Sequence, residues 1–138
     1  MAEITLRGRK IPLVYTVYEM KQVQEEICSL GDFQYVIFGR NKDDEKDSSK
    51  YGSAEHLGAL AKLIRIMGNA GLEEAGEDPN LTEKSIMRAM KPAFIPDYIE
   101  ACASALNEGM SSEYPKEEPE GPVDVTLEKL NKKKEKDD

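Results

Sequence analysis

The chain has 138 residues, which is enough for one small domain. Its net charge of −8 argues against binding to nucleic acid, which needs clustered Lys and Arg side chains, and favours basic or amphipathic protein partners. No apolar run approaches the roughly 20 residues that span a bilayer, and the N-terminus lacks the apolar stretch of a signal peptide, so we expect a cytoplasmic protein with no membrane partner.

The first predicted element is a β-hairpin. Ile4 and Leu6 alternate with polar residues, Gly8 supplies the turn, and Ile11 resumes the alternation. Pro12 is tolerable only on an edge strand. A lone hairpin is marginal in water, so it must pack on helices or pair with another chain, and its open edge is a first indication of self-association.

A helix is predicted next, over residues 17–30. Thr16 and Glu19 have the spacing of a capping box, in which a hydroxyl and a carboxylate satisfy otherwise unpaired backbone N–H groups. Apolar residues then recur at helical spacing, and Gly31 stands just past the predicted end.

The segment 33–39 is ambiguous, because its three central apolar residues suit a strand or a short buried helix. We favour a helix because Asp32 stands at a capping position. The charge-dense segment 40–52 invites a calcium-loop interpretation, but Ser48 and Ala54 occupy the positions that need glycine and a bidentate glutamate. We expect a solvated connector there and no metal.

A helix pair around an acidic loop follows. Ser53 is a good N-cap for a helix from about residue 54 to residue 69 or a little beyond, and two glycines, Gly71 and Gly76, frame the predicted exit loop. Thr82 caps a second, shorter helix that ends before Pro92.

The last predicted helix begins near Pro96, at an allowed first-turn position, and ends at Gly109. Its predicted buried stripe consists of Ile99, Cys102, Ala103 and Leu106.

From residue 111 the composition changes to prolines and mixed charge. Such a segment cannot bury enough apolar area to offset its ordering entropy, so we expect a flexible tail over 111–138, with Val123 to Leu130 as a short docking element. The predicted fold is therefore mainly α: a small helical domain over 1–110 with an N-terminal β-hairpin, followed by a disordered C-terminal tail.

Residues that carry catalytic chemistry are few. The single histidine, His56, is expected on a helix surface rather than as a general base. The two cysteines, Cys28 and Cys102, are expected to be buried and reduced. Together with the one histidine they are too few to form the ligand set of a zinc site. The glycines at 68, 71 and 76 follow a helix rather than a strand, which argues against a phosphate-binding loop. We expect no enzyme, no catalytic or metal site and no cofactor.

Candidate partner contacts come from two places. Core filling is the favoured role of each methionine in the predicted helices, and Met87 and Met90, in a short helix framed by prolines, are the best candidates for exposure as a deformable surface for a partner helix. Ile4 and Leu6 are the candidates in the hairpin.

The succession of elements from Glu3 to Met110 resembles the tail assembly chaperones of long-tailed bacteriophages and related prophages. The resemblance runs from the hairpin through "YTVYEMKQVQEEICSLGD" and "LAKLIRIMGNAGLEEAGEDPNLTEKSIMRAM" to "IPDYIEACASALNEGM". It implies a helical protein-binding module made during tail morphogenesis in the host cytoplasm and absent from the mature virion. It also implies two partners, the tape measure protein, which such chaperones coat, and the tail tube protein, which they help to recruit.

The family commonly makes a longer product by ribosomal frameshifting near the end of the short form, and that product is the expected link to the tail tube protein. Lys132 to Lys134 would be encoded by an A-rich run, a candidate slippage site, although lysine runs are ordinary in polar tails. Two other functions stay open: a structural tail completion or connector protein, and an acidic DNA mimic that inhibits a host enzyme.

Overall fold

The computed structural model describes residues 2–41, 43–44, 46–47 and 49–112. Within that part of the chain the predicted mainly helical fold with an N-terminal β-hairpin is confirmed. The elements in chain order are β1 (Glu3–Leu6), β2 (Arg9–Pro12), α1 (Val17–Glu26), α2 (Phe33–Phe38), α3 (Ala54–Glu74), α4 (Glu83–Ala89) and α5 (Ile95–Met110), with 3₁₀ turns at Leu30–Asp32 and Pro92–Phe94. The predicted tail lies outside the described residues from 113 onward. Among the described helices, none combines the length and the apolar character that crossing a membrane requires.

The hairpin closes through a two-residue turn. Arg7 and Gly8 both have positive φ, 53° and 79°, as the type I′ turn requires for strands with the natural right-handed twist. The antiparallel register places Leu6 opposite Arg9. The pairing continues past the strands, because the Leu13 N–H donates to the Ala2 carbonyl at 2.9 Å.

The central element is α3, which packs against the hairpin and the other helices. It continues to Glu74, whereas the predicted end is at residue 69 or a little beyond, so Gly71 lies in the helix and does not begin the exit loop. Gly68 and Gly71 therefore lie inside the helix. Their role is close packing: a Cβ on Gly68 would meet the Leu81 side chain at 2.7 Å, and one on Gly71 would meet the Pro12 carbonyl oxygen at 1.9 Å.

The first helix is shorter than predicted, and α2 confirms the choice of helix over strand. The capping box at Thr16 and Glu19 is present, but α1 ends at Glu26 rather than at residue 30. A 3₁₀ turn then redirects the chain into α2, which ends at Gly39 with φ 70°. Local apolar spacing continued past Glu26, whereas packing of α2 onto α3 requires the chain to turn there.

The acidic loop between α3 and α4 is held to α3 by one amide side chain. The Asn69 Nδ2 group donates to the Leu81 carbonyl at 3.1 Å, and the Leu81 N–H donates to Asn69 Oδ1 at 2.9 Å. The predicted cap at Thr82 is confirmed, since its hydroxyl accepts from the Ser85 N–H at 3.1 Å. The two hydrogen bonds between Asn69 and Leu81 fix the position of α4 beside α3.

The last helix follows the predicted limits closely. Pro96 lies in its first turn, but Gly109 is inside α5 and does not end it. A Cβ at Gly109 would lie 2.2 Å from the Tyr15 carbonyl oxygen, so this glycine also allows two segments to approach closely. The buried residues are Tyr98, Ile99, Cys102 and Ala105, whereas the predicted Ala103 and Leu106 are only half-buried.

Candidate interaction surface

The structure places His56 in the interior, with 2% of its surface exposed, so the expectation of a surface histidine is wrong. The Gly52 N–H donates to Nδ1 at 2.9 Å, which makes Nδ1 an acceptor and leaves the ring proton on Nε2. Nε2 then donates to the Ile37 carbonyl at 2.8 Å. Because both ring nitrogens bind backbone groups, the geometry makes His56 a structural link between α2, Gly52 and α3.

The two thiols are poor nucleophiles. Cys102 is fully buried, and desolvation raises its pKa to about 12. Burial also raises the pKa of Cys28, and the nearby Asp32 carboxylate adds to that effect. A higher thiol pKa means a smaller thiolate fraction near neutral pH, and the thiolate is the reactive form.

We therefore expect Cys28 to react slowly with a thiol reagent, and Cys102 not to react, in the folded protein at pH 8. Treatment with DTNB should modify the half-exposed Cys28 more slowly than a free cysteine, while Cys102 should react only after unfolding in urea. Rapid modification of two thiols per folded chain would contradict the burial of Cys102.

The acidic segment between α2 and α3 turns its carboxylates toward its own backbone. Asp44 and Asp47 accept from the N–H groups of Lys46 and Ser49, at 3.1 and 2.9 Å. The hydrogen bond from the Ser49 backbone is the main reason that the pKa of Asp47 is lowered. In the described part of the chain, no group of three His, Cys, Asp or Glu residues is placed to hold a metal ion.

A groove of about 690 Å³ lies between β1, the end of α4, the 3₁₀ turn at Pro92–Phe94 and the first half of α5. We call it the α4–α5 groove; its lining includes Thr5, Arg7, Arg88, Lys91, Phe94 and Tyr98. The Arg7 guanidinium donates to the Arg88 carbonyl at 3.1 Å, and the Lys91 N–H donates to the Tyr98 hydroxyl at 3.0 Å. These bonds join the hairpin turn to α4, and the segment after α4 to α5.

The α4–α5 groove combines apolar and cationic groups. Phe94 is 48% exposed although it is a large apolar side chain, and it shares the groove lining with three cations, Arg7, Arg88 and Lys91, and with the carboxylates of Glu3 and Asp97. Aromatic side chains with arginine nearby are typical of protein interaction sites.

A second cleft, of about 600 Å³, lies between α2 and the first half of α3 beside His56. None of the large apolar side chains that the described structure exposes lines this second cleft. We therefore take the α4–α5 groove as the candidate site.

The four predicted contact residues separate into two groups. Met87 is 43% exposed on α4, one residue before Arg88 of the groove, as expected for a contact residue. Met90 follows the end of α4 and is half-buried against the core.

Ile4 and Leu6 are buried, at 3% and 5% exposure, so their assignment as partner contacts is corrected: they pack inside this chain because the hairpin lies on its own helices. Sequence reasoning missed Phe94, whose available signal was an aromatic residue between Pro92 and Pro96, in a stretch too short to show helical spacing. Comparisons with protein-family models, with curated proteins and with solved structures find no match to this chain.

Proposed function

We propose that this chain is a non-enzymatic tail assembly chaperone of a long-tailed bacteriophage or prophage. In this proposal it binds the tape measure protein and helps to recruit tail tube subunits in the host cytoplasm, and it is absent from the mature virion. The α4–α5 groove, with Phe94 exposed in its lining and Met87 exposed nearby, is the observation that carries the proposal. The succession of hairpin and helices from Glu3 to Met110 supports the resemblance on which the identity of the partners rests.

The groove suits an amphipathic segment of a long helical partner. An aromatic anchor and a flexible methionine can cover apolar side chains, and the nearby arginines can bind carboxylates that flank them. Each contact is small, but many copies along one long partner would add avidity without a large single interface. The net charge of −8 keeps the chaperone soluble while its apolar groups stay available.

The contact surface can be tested with single charge insertions. We expect Phe94→Glu and Met87→Glu each to weaken binding to the tape measure protein of the same locus by about tenfold, because a buried charge replaces an apolar contact. The measurement is co-expression and titration of the purified pair, with circular dichroism as the test of folding. Val17→Glu is the matched control, since Val17 is 79% exposed and is not among the groove residues. Equal binding by all four proteins would exclude the α4–α5 groove as the contact surface.

The identity of the protein is tested separately. Intact masses of everything that carries this N-terminus, expressed from the natural locus, should reveal a second, longer product. Mature virions should lack the chain; its presence there would favour a completion or connector protein. A chain that binds neither tail protein but inhibits a host DNA enzyme would support the DNA-mimic alternative.

A further inference from the structure

One edge of the hairpin faces the α4–α5 groove. The Leu13 N–H donates to the Ala2 carbonyl, so these two residues form a hydrogen-bonded pair of the antiparallel ladder. Such pairs alternate with non-hydrogen-bonded pairs, and the register makes Glu3 and Thr5 members of the second kind. Their backbone N–H and C=O groups therefore point away from β2, and both residues are exposed and line the groove.

The opposite edge of the hairpin is covered. There the Pro12 carbonyl lies against Gly71 of α3, and the Val14 N–H donates to the Met67 carbonyl at 3.1 Å. In the described sheet, β1 has one strand neighbour, β2. The groove-facing edge of β1 is thus the place where a further strand can pair.

The exposed face of this edge carries a self-complementary set of side chains. Glu3 and Thr5 of β1 and Arg7 of the turn stand at every second position and are exposed, whereas Ile4 and Leu6 between them are buried. When such a strand pairs antiparallel with a copy of itself, centred on Thr5, each carboxylate stands opposite an arginine. A uniformly acidic or uniformly basic strand would instead place a like charge opposite one end of β1.

Both charged groups can make this contact. The Arg7 guanidinium donates to the Arg88 carbonyl at 3.1 Å, and because a guanidinium has five N–H donors, others can bind a carboxylate. The Glu3 side chain is 50% exposed, and the Lys10 amine that accompanies it lies 4.0 Å away, beyond hydrogen-bond distance. The Glu3 carboxylate can therefore accept hydrogen bonds from a guanidinium.

We propose that the chain forms a symmetric dimer in which β1 pairs antiparallel with β1 of a second copy. Thr5 lies on the twofold axis and exchanges two backbone hydrogen bonds with Thr5 of the second copy. Glu3 of each copy faces Arg7 of the other. The two hairpins form one four-stranded sheet, which satisfies backbone groups that a lone hairpin leaves unpaired.

The dimer has a consequence for the groove. Because β1 and Phe94 line the same groove, a second copy and a segment of another protein compete for it. In the context of the proposed function, on which this consequence alone rests, binding of the tape measure protein separates the two copies.

Sedimentation of the purified full-length chain tests the dimer without any partner, so its result is independent of the proposed function. Salt of about 0.15 M limits the long-range repulsion between two chains of net charge −8, since the Debye length is then about 8 Å. The average mass of the wild type should rise with concentration from 15.5 kDa toward that of a dimer. Glu3→Arg and Arg7→Glu should each raise the dimer dissociation constant by about tenfold or more, because like charges then face each other at both ends of the interface.

An equal mixture of the two variants separates a lost interface from a lost fold. The Glu3→Arg chain carries two cations on this face and the Arg7→Glu chain two carboxylates, so only a mixed dimer places opposite charges together at both ends. We expect the mixture to dimerise at least as tightly as the wild type. Native mass spectrometry with one variant ¹⁵N-labelled identifies the mixed dimer.

A third variant tests the backbone pairing. Thr5→Pro removes the donor at the centre of the interface, and the hairpin tolerates it because the Thr5 N–H points away from β2. This variant should not dimerise. Slow amide exchange at Ile11, which lies within the ladder opposite Ile4, reports that the hairpin is intact in each protein.

Four results would overturn the proposal. The first is a wild-type chain that stays monomeric at every concentration. The second is a dimer whose dissociation constant is the same in all three variants, which would place the interface elsewhere. The third is a mixture that stays monomeric although each variant keeps its Ile11 protection. The fourth is protection of the Thr5 N–H that does not depend on concentration, which would assign the edge to another part of the same chain.

Discussion

Replacing Gly71 by alanine should destabilise the protein by about 3 kcal/mol or more, which is a large part of the stability of a small domain. The new methyl carbon would lie 1.9 Å from the Pro12 carbonyl oxygen and 2.5 Å from its carbon, and both are backbone atoms that no rotamer change can move. The hairpin and α3 would have to separate there. Urea unfolding followed by circular dichroism measures the loss.

Gly58→Ala is the matched control, because Gly58 lies in the same helix and a Cβ there would meet nothing within 4 Å apart from the neighbouring backbone of its own helix. Alanine has the higher helix propensity, so this variant should be more stable than the wild type by about 0.5–1 kcal/mol. A Gly71→Ala variant as stable as Gly58→Ala would show that the hairpin does not pack on α3 as described.

Replacing His56 by alanine should cost about 3 kcal/mol and loosen α2 relative to α3, because it leaves a cavity and removes the partners of the Ile37 carbonyl and the Gly52 N–H. Faster amide exchange should appear in α2 and near Gly52, while the hairpin keeps its protection. Chemical denaturation measures the total loss in the free energy of unfolding, and residue-resolved amide exchange shows which segments are destabilised.

Two substitutions, His56→Asn and His56→Gln, separate the contributions of the two ring nitrogens to stability. Asparagine can place its oxygen near the position of Nδ1 and accept from Gly52, whereas glutamine can place its NH₂ near Nε2 and donate to Ile37. Each should be less destabilising than alanine. Since His56 is the only histidine, its ¹⁵N resonances also identify the tautomer directly, and a proton on Nδ1 rather than on Nε2 would contradict the described hydrogen bonds.

Local signals predicted the starts of the elements well. Gly8 at the hairpin turn, the capping box at Thr16 and the caps at Ser53 and Thr82 all act within a few residues of where they stand, so sequence spacing determines them. The ends of helices were predicted less well. A glycine is compatible both with helix termination and with a tight helix crossing, and at Gly71 only the position of Pro12 decides between the two.

In the candidate site too, some features follow from the local sequence and others only from tertiary contacts. The short helix between prolines marked Met87 and Met90 alike as candidates for exposure, and only Met87 is well exposed. The exposure of Phe94 depends on how the 3₁₀ turn at Pro92–Phe94 meets α5. Ile4 and Leu6 show an alternation that indicates a strand with one buried face. That pattern is the same whether the face packs on the chain's own helices or on a partner.

The sequence by itself determined the class of fold, the hairpin turn and the helix starts, because propensity, capping and turn geometry are local. Only the tertiary structure decided that α3 runs through Gly68 and Gly71, that His56 is buried between α2 and α3, and that a groove opens beside β1. These features arise from contacts between residues far apart in the chain, such as Pro12 with Gly71 and Arg7 with Arg88. Periodicity along one segment carries no information about which segment lies opposite.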